Sequence, residues 1–181
     1  DDKYWTGSSW TATVEIWNTA TGLANWTFPE PSDNWDDARQ YELNTRTLDL
    51  AGNLSAHTTA SFVWDSSTPT IVMQQPNAAY EPSPLSILSG TAIDPGPNGL
   101  RADLSTVQVS IQIDPPTGNY WKGVSFGPGE TWLGVTSGLT SWSTISTPTW
   151  VSGNVYRVRA RATDSADNVS VDIGDQQFTF D

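Results

Sequence analysis

Residues 156–168 read YRVRARATDSADN and carry a strand signal that leads directly into a turn signal. In the first eight of them, Tyr, Val, Ala and Ala alternate with three arginines and one threonine. An alternation of this kind is typical of a strand with one buried face and one face in water. The next five residues are turn formers, and alternation resumes in residues 177–181, so the stretch predicts a β-hairpin.

The same hairpin signal occurs 115 residues earlier, where residues 41–53 read YELNTRTLDLAGN. Aromatic residues, glycines and turn residues recur elsewhere at an offset of 115 or 116 residues. The matched pairs include Trp5 and Trp121, Gly7 and Gly123, Trp17 and Trp132, Trp26 and Trp142, Trp35 and Trp150, Tyr41 and Tyr156, Asp49 and Asp164, Phe62 and Phe178, and Asp65 and Asp181. Recurrence at a nearly fixed distance indicates an internal repeat.

The repeat divides the chain into two parts. Residues 66–181, the second segment, are predicted to form one complete unit, and residues 1–65, the first segment, the C-terminal portion of another. The first segment has no counterpart of the strands expected between Pro69 and Asp114. Because open sheet edges pair readily, we expect those strands to come from a longer chain, a cleaved segment or a neighbouring molecule. The joint at residues 65–69 is too short for a flexible linker, which favours units placed end to end.

Composition limits the function classes. The 181 residues carry a formal net charge of -12, which disfavours nucleic acid and anionic membrane surfaces as partners. The absence of cysteine excludes disulfides, thiolate metal sites and cysteine nucleophiles. No apolar run is long enough for a membrane span, so no membrane insertion is expected. We expect an extracellular or cell-surface protein that meets divalent cations.

Short β-prone runs separated by Gly and Pro turns fill the second segment. Residues 70–73 and 85–93 are the first two predicted strands, and Pro82 and Pro84 punctuate the loop between them. The clearest strand is residues 107–113, VQVSIQI, in which the Val and Ile residues share one face. Roughly seven short strands with turn chemistry between them predict an all-β fold of the β-sandwich type.

The motifs SGTAxD, VxVxI, YxVRARATDxADNxS and FxFD resemble those of bacterial immunoglobulin-like repeats from extracellular adhesins and other large surface proteins. The resemblance covers both segments. The form DxAGN is intact at residues 49–53, whereas Asp167 replaces its glycine in the second copy. The resemblance implies tandem immunoglobulin-like β-sandwiches, the first incomplete, that form a stalk or fibre, calcium-stiffened in some proteins and adhesive in others.

Calcium at the junction is the best candidate chemistry. In an immunoglobulin-like sandwich, the loop after the second strand and the last hairpin turn lie at the pole where the chain enters. Ca²⁺ takes six to eight oxygen ligands, so acidic residues that converge at this pole could hold it. The predicted ligands are Asp65, Asp94, Asp164, Asp167 and Asn168. The alternative is that these residues only start turns, where their side chains bond nearby backbone donors.

The aromatic residues have structural and ligand-binding interpretations. Tyr41 and Tyr156 are predicted to form tyrosine corners, with the hydroxyl fixed to backbone near the start of the strand. Because tryptophans recur at fixed places in the repeat, we expect most of the ten to pack in cores. The alternative is a platform on which sugars stack.

The sequence favours a structural protein over an enzyme. His57 is the single histidine, and Asp36 and Asp37 are neighbours in a loop rather than a positioned acid and base. We expect a structural or adhesive module of a bacterial surface stalk or fibre. Its partners would be neighbouring repeats of the same or another chain, with strand complementation of the first segment, and a host or surface glycan is a further candidate. The alternative is a carbohydrate-binding accessory module of a secreted glycan-processing protein.

Overall fold

A computed structural model describes residues 3–29, 35–96, 100–170 and 174–181. This part of the chain is all-β and contains no helix, hence none long and apolar enough to cross a membrane. In chain order the strands are β1 (Tyr4–Trp5), β2 (Trp10–Ala12), β3 (Thr21–Gly22), β4 (Trp26–Thr27), β5 (Arg39–Thr45), β6 (Thr58–Trp64), β7 (Thr70–Gln75), β8 (Tyr80–Glu81), β9 (Leu88–Ile93), β10 (Leu104–Ile113), β11 (Tyr120–Trp121), β12 (Phe126–Gly127), β13 (Leu133–Gly134), β14 (Ser141–Thr144), β15 (Val155–Asp164) and β16 (Gly174–Phe180).

The second segment is built from two sheets that pack against each other. The larger sheet has the order β12-β11-β10-β15-β16-β8, with β13 also paired to β10, and the smaller sheet has the order β14-β9-β7. Strand β7 contacts both β15 and β16 across the interior. Apolar side chains from both sheets form one core that includes Leu88, Trp142, Val158 and Phe178. Two sheets that share one apolar interior are consistent with a β-sandwich.

Strands β10 and β15 form the central ladder of the larger sheet. All four apolar residues of the predicted alternation, from Tyr156 to Ala162, are fully buried. The antiparallel register sets Ile113 opposite Tyr156 and Ile111 opposite Val158, so both strands turn their apolar residues to the core. The alternation predicted for β15 is therefore confirmed. Strand β10 begins three residues before the predicted start, because its pairing with β15 continues beyond the apolar run.

Gly90 lies where β9 is closest to its neighbours. A Cβ atom there would stand 2.0 Å from the carbonyl oxygen of Val72 and 2.5 Å from the Trp142 ring. We expect Gly90→Ala to lower the free energy of unfolding by about 1–3 kcal/mol, measured by urea denaturation. Gly134→Ala is the control, because a Cβ at Gly134 meets nothing within 4 Å. Equal losses in the two variants would contradict this packing.

Within residues 3–29 and 35–65, the first segment forms three two-stranded sheets, β1 with β2, β3 with β4 and β5 with β6. Its aromatic cluster repeats the geometry of the second segment. The ring centroids of Trp35 and Tyr41 are 4.5 Å apart, and those of Trp150 and Tyr156 are 4.7 Å apart, both edge to face. The stacked pairs Tyr41 with Phe62 and Tyr156 with Phe178 both have a distance of 5.7 Å and an angle of 27°. Residues matched by the repeat thus adopt matched packing.

Both predicted tyrosine corners are present. The Tyr41 hydroxyl accepts a hydrogen bond from the backbone N–H of Asp36 at 2.7 Å. The Tyr156 hydroxyl accepts one from the backbone N–H of Val151 at 2.9 Å. Each bond ties the start of a long strand to the loop before it, which confirms this prediction.

Candidate metal centre

Asp164 ends β15, and its side chain closes the turn that follows. One carboxylate oxygen accepts hydrogen bonds from the backbone N–H groups of Ala166 at 2.8 Å and Asn168 at 2.9 Å. The other oxygen accepts from the Asn168 side-chain amide at 2.9 Å. Asp167 has a φ of 67°, in the left-handed region, where the first segment has Gly52 at 88°. Asp164 therefore does form the turn, and these hydrogen bonds hold its carboxylate in a fixed orientation.

Asp49 makes the same turn in the first segment. Its carboxylate accepts hydrogen bonds from the backbone N–H groups of Ala51 at 2.9 Å and Asn53 at 2.8 Å, and from the Asn53 side-chain amide at 2.8 Å. These hydrogen bonds hold the pKa of Asp49 below its ordinary value, the Asn53 side chain contributing most. Asp49 is exposed, whereas Asp164 is fully buried. The two turns therefore differ in their surroundings rather than in their own bonding.

Asp65 joins the end of β6 to the second segment. Its carboxylate accepts hydrogen bonds from the backbone N–H of Ser67 at 3.0 Å and from that of Ala102. Its backbone carbonyl accepts a hydrogen bond at 3.1 Å from the side-chain amide of Asn168, which also donates to Asp164. Asn168 thus bridges Asp65 and Asp164.

Asp37 holds the joint from the side of the first segment. Its carboxylate accepts hydrogen bonds from the Ser67 hydroxyl at 2.6 Å and from the Ser66 backbone N–H at 2.7 Å. These bonds, the Ser67 hydroxyl foremost, lower the pKa of Asp37 from its ordinary value. The polar joint is therefore hydrogen-bonded to both segments.

Three carboxylates meet behind this joint. Asp65, Asp94 and Asp164 each offer one oxygen, and these oxygens lie within 4.8 Å of one another. Asp94 follows β9 and is 2% exposed, Asp164 is 0% exposed and Asp65 is 9% exposed. Neither carboxylate oxygen of Asp94 accepts a hydrogen bond from the described residues. A buried, unpartnered carboxylate beside two others is costly unless a cation lies among them.

The electrostatics of Asp94 reflect this arrangement. Burial raises the pKa of Asp94 to about 6, the charges of Asp65 and Asp164 and a hydrogen bond from protonated Asp94 to Asp65 add to the effect, and Arg101 opposes it. Without a cation, the folded protein therefore holds a proton on this carboxyl more tightly than the unfolded chain does. A bound cation would replace that proton.

The triad could hold a metal ion, because its donor atoms are all carboxylate oxygens, which hard divalent cations prefer. No family model and no curated protein matches this chain. The chemistry of the site therefore follows from its own atoms. The unpartnered oxygens of Asp94 are free to act as ligands, and the hydrogen bonds to Asp65 and Asp164 fix the other two carboxylates around it.

The structure brings together three of the five predicted ligands. Asp167 is exposed in the turn and lies outside the triad. Asn168 lies beside the triad, with its amide nitrogen turned to Asp164 and the Asp65 carbonyl. Sequence reasoning missed Ala102, whose contribution is a backbone N–H that no residue type signals. It also missed Asp37, which accepts hydrogen bonds from Ser66 and Ser67 of the joint. The two serines of the joint were the sequence signal for an acidic partner.

Proposed function

We propose that this chain is a structural repeat module of a bacterial extracellular stalk, fibre or adhesin. In this proposal its segments belong to tandem immunoglobulin-like β-sandwiches, and a Ca²⁺ ion stiffens the joint between them. One observation carries the proposal: the buried triad takes Asp65 from the end of the first segment, and Asp94, just after β9, and Asp164, at the end of β15, from the second. A cation bound there would hold both segments at once.

The hydrogen bonds of the joint support a stiff connection. Asp37 fixes Ser66 and Ser67 to the first segment, and Asp65 accepts the Ala102 N–H of the second. A flexible linker would leave these backbone groups to water. A cation shared by the two segments would add to these hydrogen bonds in limiting bending between the segments.

The donor set favours Ca²⁺ over other cations. Three carboxylates without histidine or cysteine suit a hard cation, and carboxylates can bind Ca²⁺ through both oxygens. Mg²⁺ demands regular octahedral geometry and keeps several of its waters, which a site this buried accommodates poorly. Extracellular calcium modules bind with dissociation constants of about 0.1–1 mM, and we expect this range here.

The tryptophans give the carbohydrate-binding alternative less support. Trp142 and Trp150 are buried in the core. The Arg46 guanidinium covers Trp17 at 3.7 Å from the ring centroid, and Arg161 covers Trp132 at 4.4 Å. All ten tryptophans lie in the described ranges: two are buried, seven are half-buried, and Trp26 is exposed. A single exposed indole is not a platform, so the structural role is the better supported function.

Thermal unfolding in Ca²⁺ and in EDTA tests the calcium clamp. We expect saturating Ca²⁺ to raise the Tm by about 5–10 °C, since ligand at a hundred times its Kd stabilises by about 2.7 kcal/mol. Asp164→Asn should abolish the rise, because it removes one of the three ligands. Isothermal titration calorimetry should show the same loss of binding.

Asp49→Asn is the matched control for Asp164→Asn. It disturbs the same turn hydrogen bonds in the first segment but lies outside the triad. The Tm of this variant in EDTA should fall, while its response to Ca²⁺ stays unchanged. An absence of any Ca²⁺ effect on the original protein, or equal loss of response in both variants, would refute the clamp.

A further inference from the structure

The apolar face of the first segment is open. Trp26, Leu43 and Phe62 are 47%, 47% and 40% exposed. Their counterparts in the second segment are Trp142 at 1%, Val158 at 0% and Phe178 at 2%. Local conformation and aromatic packing match in the two segments, so the difference comes from what covers the face. We call Trp26, Trp35, Leu43 and Phe62, together with the edge of β5 away from β6, the open face.

In the second segment, strands from residues 70–113 cover the matching face. Strand β9 pairs with β14 and sets Gly90 opposite Trp142, and β10 pairs with β15 along its length. In the part of the first segment that the structure describes, the matching strands have no such neighbours. Strand β4 pairs only with β3, and β5 pairs only with β6. An unpaired edge beside an exposed apolar face is a template for strand addition.

Trp35 adds an independent sign of a missing backbone group. Its indole Nε1 is buried and has no hydrogen-bond partner within the described residues. The matching Nε1 of Trp150 donates a hydrogen bond to the backbone carbonyl of Leu85 at 2.7 Å. Leu85 belongs to the segment that covers the second face. Trp121 and Trp142 of the second segment also have a buried Nε1 without a partner, so the argument rests on the matched pair. Trp150 has the Leu85 carbonyl as its acceptor, whereas the described residues of the first segment offer Trp35 none.

We infer that the open face binds a polypeptide segment with the strand pattern of residues 70–113. One of its strands, equivalent to β10, adds to the edge of β5. Another strand, equivalent to β9, adds beside β4. A backbone carbonyl just before this second strand, equivalent to that of Leu85, accepts the Trp35 N–H. The register of β10 on β15 sets residues equivalent to Ile113 and Ile111 opposite Tyr41 and Leu43. This inference rests on the repeat organisation proposed above.

The edge chemistry favours a polypeptide over a sugar or a lipid. The edge of β5 offers backbone N–H and C=O groups at the spacing of a strand. Only another strand has donors and acceptors at the same spacing and can pair with all of them. In the second segment, Arg161 donates a hydrogen bond to the Gln108 side chain of β10 at 2.9 Å, and Arg46 is the matching residue of the first segment. An intact second copy is a poor occupant, because its residues 70–113 already pair with its own β14 and β15.

Hydrogen exchange of the full chain tests the open face. A synthetic copy of residues 66–118 is added in excess, and exchange of the β5 amides is followed by mass spectrometry. We expect these amides to exchange about tenfold more slowly or better. A control copy with serine at the positions of Val107, Val109 and Ile111 should give no protection, because it lacks the apolar face.

Variants of the full chain test the predicted contacts. Trp35→Phe keeps the apolar ring but loses the N–H, so it should weaken binding of the added segment about tenfold. Trp150→Phe, the same change in the second segment, should leave binding unchanged, because the Trp150 N–H already donates to the Leu85 carbonyl of its own segment. If the separate segment aggregates, the same residues joined before residue 3 through a glycine-serine linker provide a second arm.

Two outcomes would overturn the inference. Exchange of β5 that stays fast with both the separate and the joined segment would mean that no strand adds there. Protection of β5 that rises with the concentration of the unmodified chain alone would make a second copy the occupant. The Ca²⁺ response is measured on the same samples, so failure of strand addition is distinguishable from failure of the calcium clamp.

Discussion

Replacing Asp94 with asparagine should stabilise the metal-free protein and abolish its stabilisation by Ca²⁺. The substitution removes one of three carboxylates whose oxygens lie within 4.8 Å of one another. It also turns an unpartnered acceptor into an amide that can donate to Asp65 or Asp164. A pKa raised from 3.8 to about 6 corresponds to about 3 kcal/mol, since one unit is worth about 1.4 kcal/mol. We expect a gain approaching that size at pH 7 in EDTA.

The gain should depend on pH with a definite sign. Below pH 3.8, Asp94 is protonated in both the folded and the unfolded protein and contributes no penalty. Between pH 3.8 and about 6 the unfolded chain ionises first, so metal-free stability falls as the pH rises. Above about pH 6 the penalty is complete. The advantage of Asp94→Asn should therefore vanish near pH 3.5 and reach its full size by pH 7.

Chemical denaturation in EDTA and in Ca²⁺ at several pH values checks this prediction. Asp103→Asn serves as the control, because it removes a nearby exposed charge that lies outside the triad. It should change stability by less than about 0.5 kcal/mol and keep the response to Ca²⁺. If Asp94→Asn destabilised the metal-free protein at pH 7, the mutual repulsion of the triad would be refuted.

Truncating Trp142 to alanine should be far more damaging than the same change at Trp26. Trp142 is 1% exposed and packs on Gly90 in the core, so its loss should cost about 3–5 kcal/mol. Trp26 occupies the matching position but is 47% exposed, and we expect a cost below about 1 kcal/mol. Urea denaturation of the two variants measures the difference. Similar losses would mean that the open face is already covered in solution.

Much of the fold could be predicted from the alternation of apolar and polar residues. Strand β15 and its hairpin partner β16 lie where the period-two pattern occurs, because one face of each meets the core. The predicted second strand, residues 85–93, begins only at Leu88. Pro84 and the contact of the Leu85 carbonyl with Trp150 keep the preceding residues in a loop. Strand β8 was not predictable, because it has two residues and is followed by a proline, and so short a run shows no alternation of apolar and polar residues.

The candidate site was predictable in its residue types but not in its atoms. The position of the joint and the repeated turn motif pointed to Asp65 and Asp164, and the resemblance to immunoglobulin-like sandwiches implied that Asp94 would lie at the same pole. They did not indicate that Asp94 alone would lack hydrogen bonds, since that depends on which backbone N–H groups approach. They also did not indicate the orientation of Asn168. Burial of matched residues such as Phe62 and Phe178 differed because it depends on covering strands rather than on local sequence.

The triad draws its carboxylates unequally from the two sides of the joint. One comes from the end of the first segment and two come from the second segment, and Asp181 occupies the position of Asp65 in the repeat. Two copies of the first-segment end, facing each other, would offer two carboxylates. Two copies of the second-segment end would offer four, so neither symmetric arrangement offers three. In the proposed array the cation would therefore enforce polarity. Modules would join in one direction only, and a two-fold symmetric pair could not reproduce the junction.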